Sequence, residues 1–353
     1  MKFCISSETS QKIKNMSLLC AFLVVSIHVI WPHEQPLSVG WFMYEALSEG
    51  IAKIGVPFFF IVSGFFLAQH FDEAGWYQSE VRKRINSLLI PFVCWAIIAC
   101  LASMPMSIIA DMQANRPFGT SIYFLQGNNW QRILGFDLTT YPLLGPLWYI
   151  RCLMLFVLTA FFFKSAIQKL GIIWLTVSFI FLLSQEQIPN ENWREFFLWT
   201  YSASGVFYFS VGVFIHKHVL VLASNRIVKS SWMAILSGCV GLALLVSKLI
   251  LVYNSGTFIS ALGKLSVPFL MFFVWFFMPS MKMPQWLTSC SFPIFLMHGI
   301  FLSYASMVLK RFPFSSLTCS FIQLVVGASA PILTALILRC FSQKGTVFLF
   351  GGR

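Results

Sequence analysis

The chain has 353 residues, of which 58% are hydrophobic and only 10% are charged. A soluble domain is about a quarter charged, so a chain with so few charges could not cover a soluble surface, and the composition predicts an integral membrane protein. The net charge of +12 does not indicate nucleic-acid binding, because the Lys and Arg residues lie at the ends of apolar segments, where membrane topology accounts for them.

The apolar segments predict one all-α domain over residues 1–353, a polytopic bundle of about ten spanning helices. Each spanning helix needs roughly 20 mainly apolar residues, and the fifth segment is short by this measure. The sequence does not define an oligomeric state. The predicted helices cover residues 15–31, 51–68, 87–108, 146–163, 170–184, 196–215, 232–252, 257–278, 287–309 and 320–340.

The loops between these helices predict that both termini lie in the cytoplasm. Far more Lys and Arg residues fall in the segments that would then face inward than in the opposite segments. The longest stretch without a predicted helix, residues 109–145, would lie outside. A loop of that length is uncommon unless it serves as a lid or a binding surface.

His28 lies near the outer end of the first predicted helix. A histidine in an apolar helix is costly and usually faces the bundle interior or water. It is either an interfacial side chain or a general base that works near neutral pH.

The nine cysteines form no Cys-x-x-Cys pair and lie mostly in apolar runs, so we predict core residues and no metal site.

The second predicted helix contains Ser63 and Gly64, a pair that permits close contact between helices. A basic cluster, Arg82-Lys83-Arg84, precedes the third helix. This cluster is either a topology signal or a site for the phosphates of a nucleotide-like cofactor on the inner face.

Two later segments carry further polar residues. Trp148 and Arg151 begin the fourth predicted helix, where Trp is typical of the membrane interface but Arg151 lies deep enough to need a partner. His298 falls near the middle of the ninth helix, in Phe292-Pro293-Ile294-Phe295-Leu296-Met297-His298-Gly299. A histidine at that depth either has a function or is satisfied by a nearby hydroxyl or carbonyl group.

In their order and spacing, these segments resemble acyltransferase family 3 over about residues 17 to 299. The resemblance implies a multi-pass enzyme of the bacterial cytoplasmic membrane. Such an enzyme moves an acyl group, usually acetyl, from cytoplasmic acyl-CoA to a hydroxyl of an exported or lipid-linked glycan. Acyl-CoA would be a donor substrate, and no permanently bound cofactor is implied.

The resemblance also implies roles for individual residues. His28 matches the essential histidine of the family's first helix. Ser63, Gly64, Trp148 and His298 match motif positions that we expect at the substrate site, and Arg82, Lys83 and Arg84 match the basic loop.

One departure concerns donor binding. The family commonly has Arg eleven residues before the first-helix histidine, and Ser17 occupies that position here. Eleven residues span roughly 16 Å on one face of a helix, a geometry that suits an extended donor. Lys14 lies about 21 Å from His28 on nearly the same stripe, and we predict that it replaces the missing Arg.

The predicted mechanism places the donor phosphates on Arg82, Lys83, Arg84 and Lys14. His28 would take the proton of the attacking hydroxyl, and an acid, either Glu34 or Asp137, would orient its imidazole.

Three intramembrane cations, Arg151, Lys248 and Lys264, fall in the outer halves of their predicted helices. They indicate either binding of an anionic acceptor or pairing with Glu45, Glu49 or Asp137.

Two other functions compete with the acyltransferase. Deep ionisable residues also fit a glycan or glycolipid transporter or flippase, although no internal repeat supports it. A structural role in a polysaccharide assembly complex would leave His28 merely interfacial.

Overall fold

The structure is a computed structural model of the 353-residue chain. It describes residues 6–122, 129–135, 137–140, 142–219, 222, 225, 229–251 and 257–351. The regular structure within these ranges is entirely helical, which confirms the predicted all-α class. Some predicted segments extend outside the described residues. They are the last residue of the predicted helix 232–252, part of the predicted loop 109–145 and the two chain ends.

Thirteen helices of eight or more residues lie within the described ranges, and we number them in chain order. They are α1 Ser7–His28, α2 Gly55–Ala68, α3 Trp76–Arg84, α4 Ile90–Gln113, α5 Leu147–Leu158, α6 Ala160–Lys169, α7 Ile172–Ser184, α8 Ala203–Lys217, α9 Ser231–Leu251, α10 Thr257–Phe277, α11 Ser291–Leu309, α12 Ser316–Phe341 and α13 Gln343–Phe350.

Seven helical segments in the described residues are long and apolar enough to cross a membrane, and a bent pair of helices makes an eighth. These eight correspond to eight of the ten predicted spans. The other two predictions form α1, whose first turns carry Glu8, Lys12 and Lys14, and α7, which has 13 residues. The prediction of about ten spans is therefore compatible with the structure. The cytoplasmic location of both termini stays a prediction.

The predicted helix over 146–163 is instead two helices, α5 and α6, which are bent by 65° relative to each other. The bend lies at Thr159, whose Oγ1 donates a hydrogen bond to the Leu155 carbonyl at 2.8 Å and lies 2.7 Å from the Tyr201 hydroxyl. Bonding of a threonine side chain to the carbonyl four residues earlier bends helices, and Tyr201 holds the hydroxyl at the bend.

Two glycines allow α2 and α8 to pack backbone against backbone. A Cβ atom added at Gly64 would lie 2.2 Å from the Phe209 carbonyl oxygen, and one added at Gly212 would lie 2.1 Å from that of Ile61. Small residues at helix crossings serve this purpose in membrane proteins. Gly64, predicted at the substrate site, is thus a packing residue. The close approach fixes α2, which lies beside α1, while α11 and α12 pack against other parts of α1.

We expect Gly64→Ala to lower the free energy of unfolding by about 1–3 kcal/mol, because the added methyl group must push two helix backbones apart. Gly145→Ala is the matched control, since a Cβ atom there would meet no atom within 4 Å. Thermal unfolding of the detergent-purified protein measures both. Equal midpoints for the two variants would contradict the packing role of Gly64.

Candidate functional site

A cavity of about 620 Å³, which we call the basic cavity, opens between α1, α2, α3 and α11. Its wall includes five of the predicted site residues, which come from three separate helices: Lys14, Ser17, Ser63, Lys83 and Arg84. Side chains that the sequence analysis did not single out complete its polar wall, among them Ser10, Gln69, His70, Gln285, Thr288, Ser289 and Ser291. The fold therefore gathers most of the predicted donor-binding residues in one place.

A buried carboxylate directs two members of the basic cluster toward this cavity. Glu80, which is 3% exposed, lies 3.2 Å from Lys83 Nζ and 3.3 Å from an Arg84 Nη. Residues three and four positions apart share one face of a helix, so Lys83 and Arg84 point the same way as Glu80. Arg84 Nε is buried and has no hydrogen-bond partner among the described residues. That nitrogen is a donor whose hydrogen-bonding capacity is not used within the described residues.

Arg82 is separated from its two neighbours. It is exposed and lines a shallow depression with Gln78, Ser79, Lys83 and Asn86 rather than the basic cavity. The three basic residues, which the sequence analysis treated as one phosphate site, thus form two surfaces that share Lys83.

The first turns of α1 supply the opposite wall of the basic cavity. Lys14 is exposed and Ser17 is half-buried, and both line the cavity, together with Ser10 and Ile13. A three-residue step along a helix keeps Lys14 and Ser17 on one face. Lys14 is therefore placed beside the same space as Lys83 and Arg84, as its predicted role requires.

Three aromatic rings, which we call the aromatic plug, line the basic cavity where α2, α5 and α11 meet. The Phe295 ring centroid lies 5.3 Å from that of Tyr149 and 5.7 Å from that of Phe59, and the last two are 6.2 Å apart. The Tyr149 hydroxyl lies 3.2 Å from Ser63 Oγ. The sequence analysis did not assign the three rings to the site.

His28 and His298 form a pair of rings beyond the aromatic plug, with centroids 5.0 Å apart and planes inclined by 37°. His28 is exposed at the end of α1, whereas His298 is fully buried. The His298 Nδ1 lies 3.1 Å from the Ile294 carbonyl oxygen, which can only accept, so Nδ1 donates. The remaining Nε2 is buried without a hydrogen-bond partner among the described residues, an uncommon state for a native polar group.

Neither predicted orienting acid contacts His28. Glu34 is exposed on the loop after α1, and no hydrogen bond or ion pair within the described ranges joins it or Asp137 to His28. The Asp137 carboxylate instead accepts bonds from the backbone N–H and hydroxyl of Thr139, at 3.0 and 2.8 Å. Burial raises the pKa of Asp137, but the hydrogen bonds from Thr139 outweigh it and hold that pKa below its usual value. The ring that contacts His28 is His298.

Arg151 binds backbone rather than a carboxylate. Its side chain is buried, and its two terminal nitrogens donate to the carbonyl oxygens of Gly135 at 3.3 Å, Asp137 at 2.7 Å, Thr140 at 2.7 Å and Trp199 at 3.3 Å. The first three of these bonds hold part of the loop that precedes α5 against the start of that helix. Beside it the half-buried Trp148 ring packs at 5.9 Å from the ring of Trp199.

The other two intramembrane cations are also paired within the protein. Lys248 Nζ lies 3.4 Å from Glu45 Oε2 and 3.0 Å from the Glu49 carbonyl oxygen. Lys264 Nζ lies 2.9 Å from Glu186 Oε1. Of the two explanations for the three cations, these contacts favour internal pairing, and an acceptor role for them has no support in the geometry.

No group of three or more His, Cys, Asp or Glu side chains that could hold a metal ion lies within the part of the chain that the structure describes. The polar groups at the site include two histidines, several hydroxyl groups and the cations of the basic cavity.

Comparison with known proteins places these features in a family. A family model described as an acyltransferase domain matches residues 13–340, nearly the whole chain. The match begins within α1 and ends within α12, so it includes the basic cavity, the aromatic plug and both histidines. No curated protein and no solved structure matches the chain.

We expect Arg151→Met to release the loop that precedes α5, because the carbonyl groups of Gly135, Asp137 and Thr140 in that loop lose a charged donor. Hydrogen bonds to charged groups contribute about 1.5–3 kcal/mol each to stability, so cleavage of the loop by a protease should accelerate markedly. Limited proteolysis followed by mass spectrometry of residues 109–145 measures the rate. Arg116→Met, at an exposed position of the same loop, is the control. Equal rates for the two variants would show that Arg151 does not anchor the loop.

Proposed function

The chain belongs to the acyltransferase domain family, and from that membership we propose that it is a membrane O-acyltransferase that transfers an acyl group from acyl-CoA to a glycan hydroxyl. The acyl group is acetyl or a similarly short chain. The acceptor is an exported or lipid-linked saccharide, and the enzyme works in the bacterial cytoplasmic membrane with both termini in the cytoplasm.

The observation that carries this proposal is the division of functional groups along α1. Lys14 and Ser17 line the basic cavity near the start of the helix, and His28 forms its last residue. The two sites are separated by about 16–21 Å of helix. That distance suits a long, thin donor with phosphates at one end and a reactive thioester at the other.

The basic cavity supplies what the phosphates of acyl-CoA require. Lys14, Lys83 and Arg84 approach the same space from two helices, and Arg84 Nε has no partner among the described residues. Charge-assisted bonds from Arg and Lys to phosphate are among the strongest hydrogen bonds in proteins. Arg82, on the adjacent depression, can hold a further phosphate near the cavity mouth.

The transfer itself uses His28 as the general base. The acceptor hydroxyl oxygen attacks the thioester carbonyl carbon while His28 takes the hydroxyl proton. The carbon–sulfur bond then breaks, and the proton passes from the imidazolium to the departing thiolate, giving the ester and free coenzyme A. General base catalysis of this kind contributes about 10²–10⁴ in rate.

His298 positions the base. Its ring packs against His28 at 5.0 Å, and its own orientation is set by the bond from Nδ1 to the Ile294 carbonyl. The unpaired Nε2 offers an acceptor for the His28 N–H or for a substrate hydroxyl. In this arrangement a histidine takes the orienting role that acids hold in other catalytic triads.

We expect His28→Ala to reduce coenzyme A release from acetyl-CoA by about 10²–10⁴ in membranes supplied with crude cell-envelope glycolipid, because the general base is lost. His33→Ala is the control, since His33 is an exposed histidine near the same end of α1. Colorimetric thiol detection follows the release. Full activity in His28→Ala would contradict the mechanism. An absence of release from wild-type protein would favour a transporter of the glycolipid.

We expect Lys14→Ala to raise the KM for acyl-CoA roughly tenfold or more, with kcat little changed, because one charge-assisted phosphate contact is lost. Ser17→Ala should have a smaller effect, since Ser17 carries no charge. Lys12→Ala is a second control, because the Lys12 ammonium donates to the Phe276 carbonyl and does not line the cavity. Loss of donor binding in Ser17→Ala but not in Lys14→Ala would show that Lys14 is not the replacement.

A further inference from the structure

The aromatic plug connects the wall of the basic cavity to the histidine pair, because Phe295 lines the cavity and also packs against His298. Its three rings, Phe59, Tyr149 and Phe295, contact one another in all three combinations, with centroids 5.3–6.2 Å apart. Centroid separations of this size are those of packed aromatic pairs. All three side chains line the basic cavity.

Phe295 is the member of the plug that faces both sites. Its ring lines the basic cavity. It also packs against His298 at a centroid distance of 6.3 Å, and His298 in turn packs against His28. Phe295 is only 3% exposed, and His298 is not exposed at all. A donor held in the basic cavity therefore meets Phe295 before it meets either histidine.

The three rings are not held equally. Tyr149 is fixed by its contact with Ser63 Oγ at 3.2 Å and by the Phe60 ring at 4.8 Å. Phe59 is half-buried, whereas Phe295 is buried and lies three residues before His298 on α11. Because Phe295 both lines the cavity and contacts His298, its displacement would join the cavity to the histidine pair.

We propose that Phe295 limits the length of the acyl group that the enzyme transfers. This inference rests on the proposed function, in which the thioester must reach His28. Protein interiors are close-packed, so a thin pantetheine arm with a two-carbon acyl group requires a small displacement of the rings, and a longer acyl chain requires a larger one. His298, which contacts Phe295, is fully buried, so additional methylene groups beside it would have to displace packed side chains.

A neighbouring apolar cavity does not offer an alternative place for a long acyl chain at the reaction site. This second cavity, of about 590 Å³, shares Ile13 and Val62 with the basic cavity. It is also lined by Ser6 and Thr9, in the cap and first turn of α1, so it adjoins the end of α1 opposite His28. A chain seated there would hold its thioester away from the base.

The first test compares acyl-CoA donors of two, four and six carbons in the wild type and in Phe295→Ala. One methylene group can change selectivity about 10- to 200-fold in a tight pocket, so wild type should use hexanoyl-CoA at least about tenfold less efficiently than acetyl-CoA. Phe295→Ala should raise the hexanoyl-to-acetyl ratio of kcat/KM about tenfold or more. An unchanged ratio, or equal use of both donors by wild type, would overturn the proposal.

Phe66→Ala is the matched control for selectivity. Phe66 also lines the basic cavity, seven residues from Phe59 on α2, but it is not part of the plug. Whatever its effect on rate, this change should leave the hexanoyl-to-acetyl ratio as in wild type. Phe295→Val serves in place of Phe295→Ala if the smaller side chain prevents folding, which thermal unfolding would reveal.

The second test does not depend on catalysis, so it separates failure of this inference from failure of the proposed function. The thiol introduced by His298→Cys is labelled with a soluble maleimide, and mass spectrometry of the peptide containing position 298 measures the rate. We expect labelling to be about tenfold faster, or more, when Phe295→Ala is added, because removal of a close-packed ring opens the path. Adding Phe66→Ala should not accelerate it. Equal labelling rates for His298→Cys with and without Phe295→Ala would show that the Phe295 ring does not close the path to position 298. This result would overturn the inference even in a protein that released no coenzyme A.

Discussion

Inside a membrane-spanning bundle, polar groups must find their partners in the protein, because lipid offers none. The structure obeys this constraint at its costliest positions. Arg151 takes up four backbone carbonyls, Lys248 meets Glu45, and Lys264 meets Glu186. Buried polar atoms without a partner therefore point to places where a ligand could bind. Arg84 Nε belongs to a residue in the wall of the basic cavity, and His298 Nε2 lies beside His28. In the proposed function, a substrate would supply the missing partner of each atom.

The same constraint explains how binding and chemistry can be kept apart within one bundle. A strongly charged donor needs a polar, cationic wall, and that wall is built from the first turns of α1 and the end of α3, where Glu80 holds two cations in place. The histidine pair contacts the aromatic plug through Phe295. In the proposed function, the plug would limit the passage of water from the phosphate-binding cavity toward the thioester, and exclusion of water limits hydrolysis as a side reaction.

Much of the architecture was predictable because hydropathy is a local property. Runs of apolar residues indicated the helices. Of the two that fall short as spans, α7 has only 13 residues and α1 carries charged residues in its first turns. The bend at Thr159 depends on a contact with Tyr201, some forty residues later, which no local pattern contains. Glu34 and Asp137 were chosen for their depth alone. Which side chain faces His28 depends on how the helices are rotated, and that is set by tertiary packing.

The site residues that the sequence analysis missed share a physical character. Phe59 and Phe295 have no polar atom, and in a chain with 39 phenylalanines their identity carries little information. The carbonyl groups that bind Arg151 belong to the backbone, so no residue type indicates them. Ser17, in contrast to these residues, was identifiable from the sequence, because it occupies a position where the family commonly has Arg. A functional substitute need only reach the same space, and a lysine one turn earlier, with a long flexible side chain, reaches the cavity that Ser17 lines. The position of Lys14 on this cavity therefore supports the proposal that its side chain supplies the charge that Ser17 lacks.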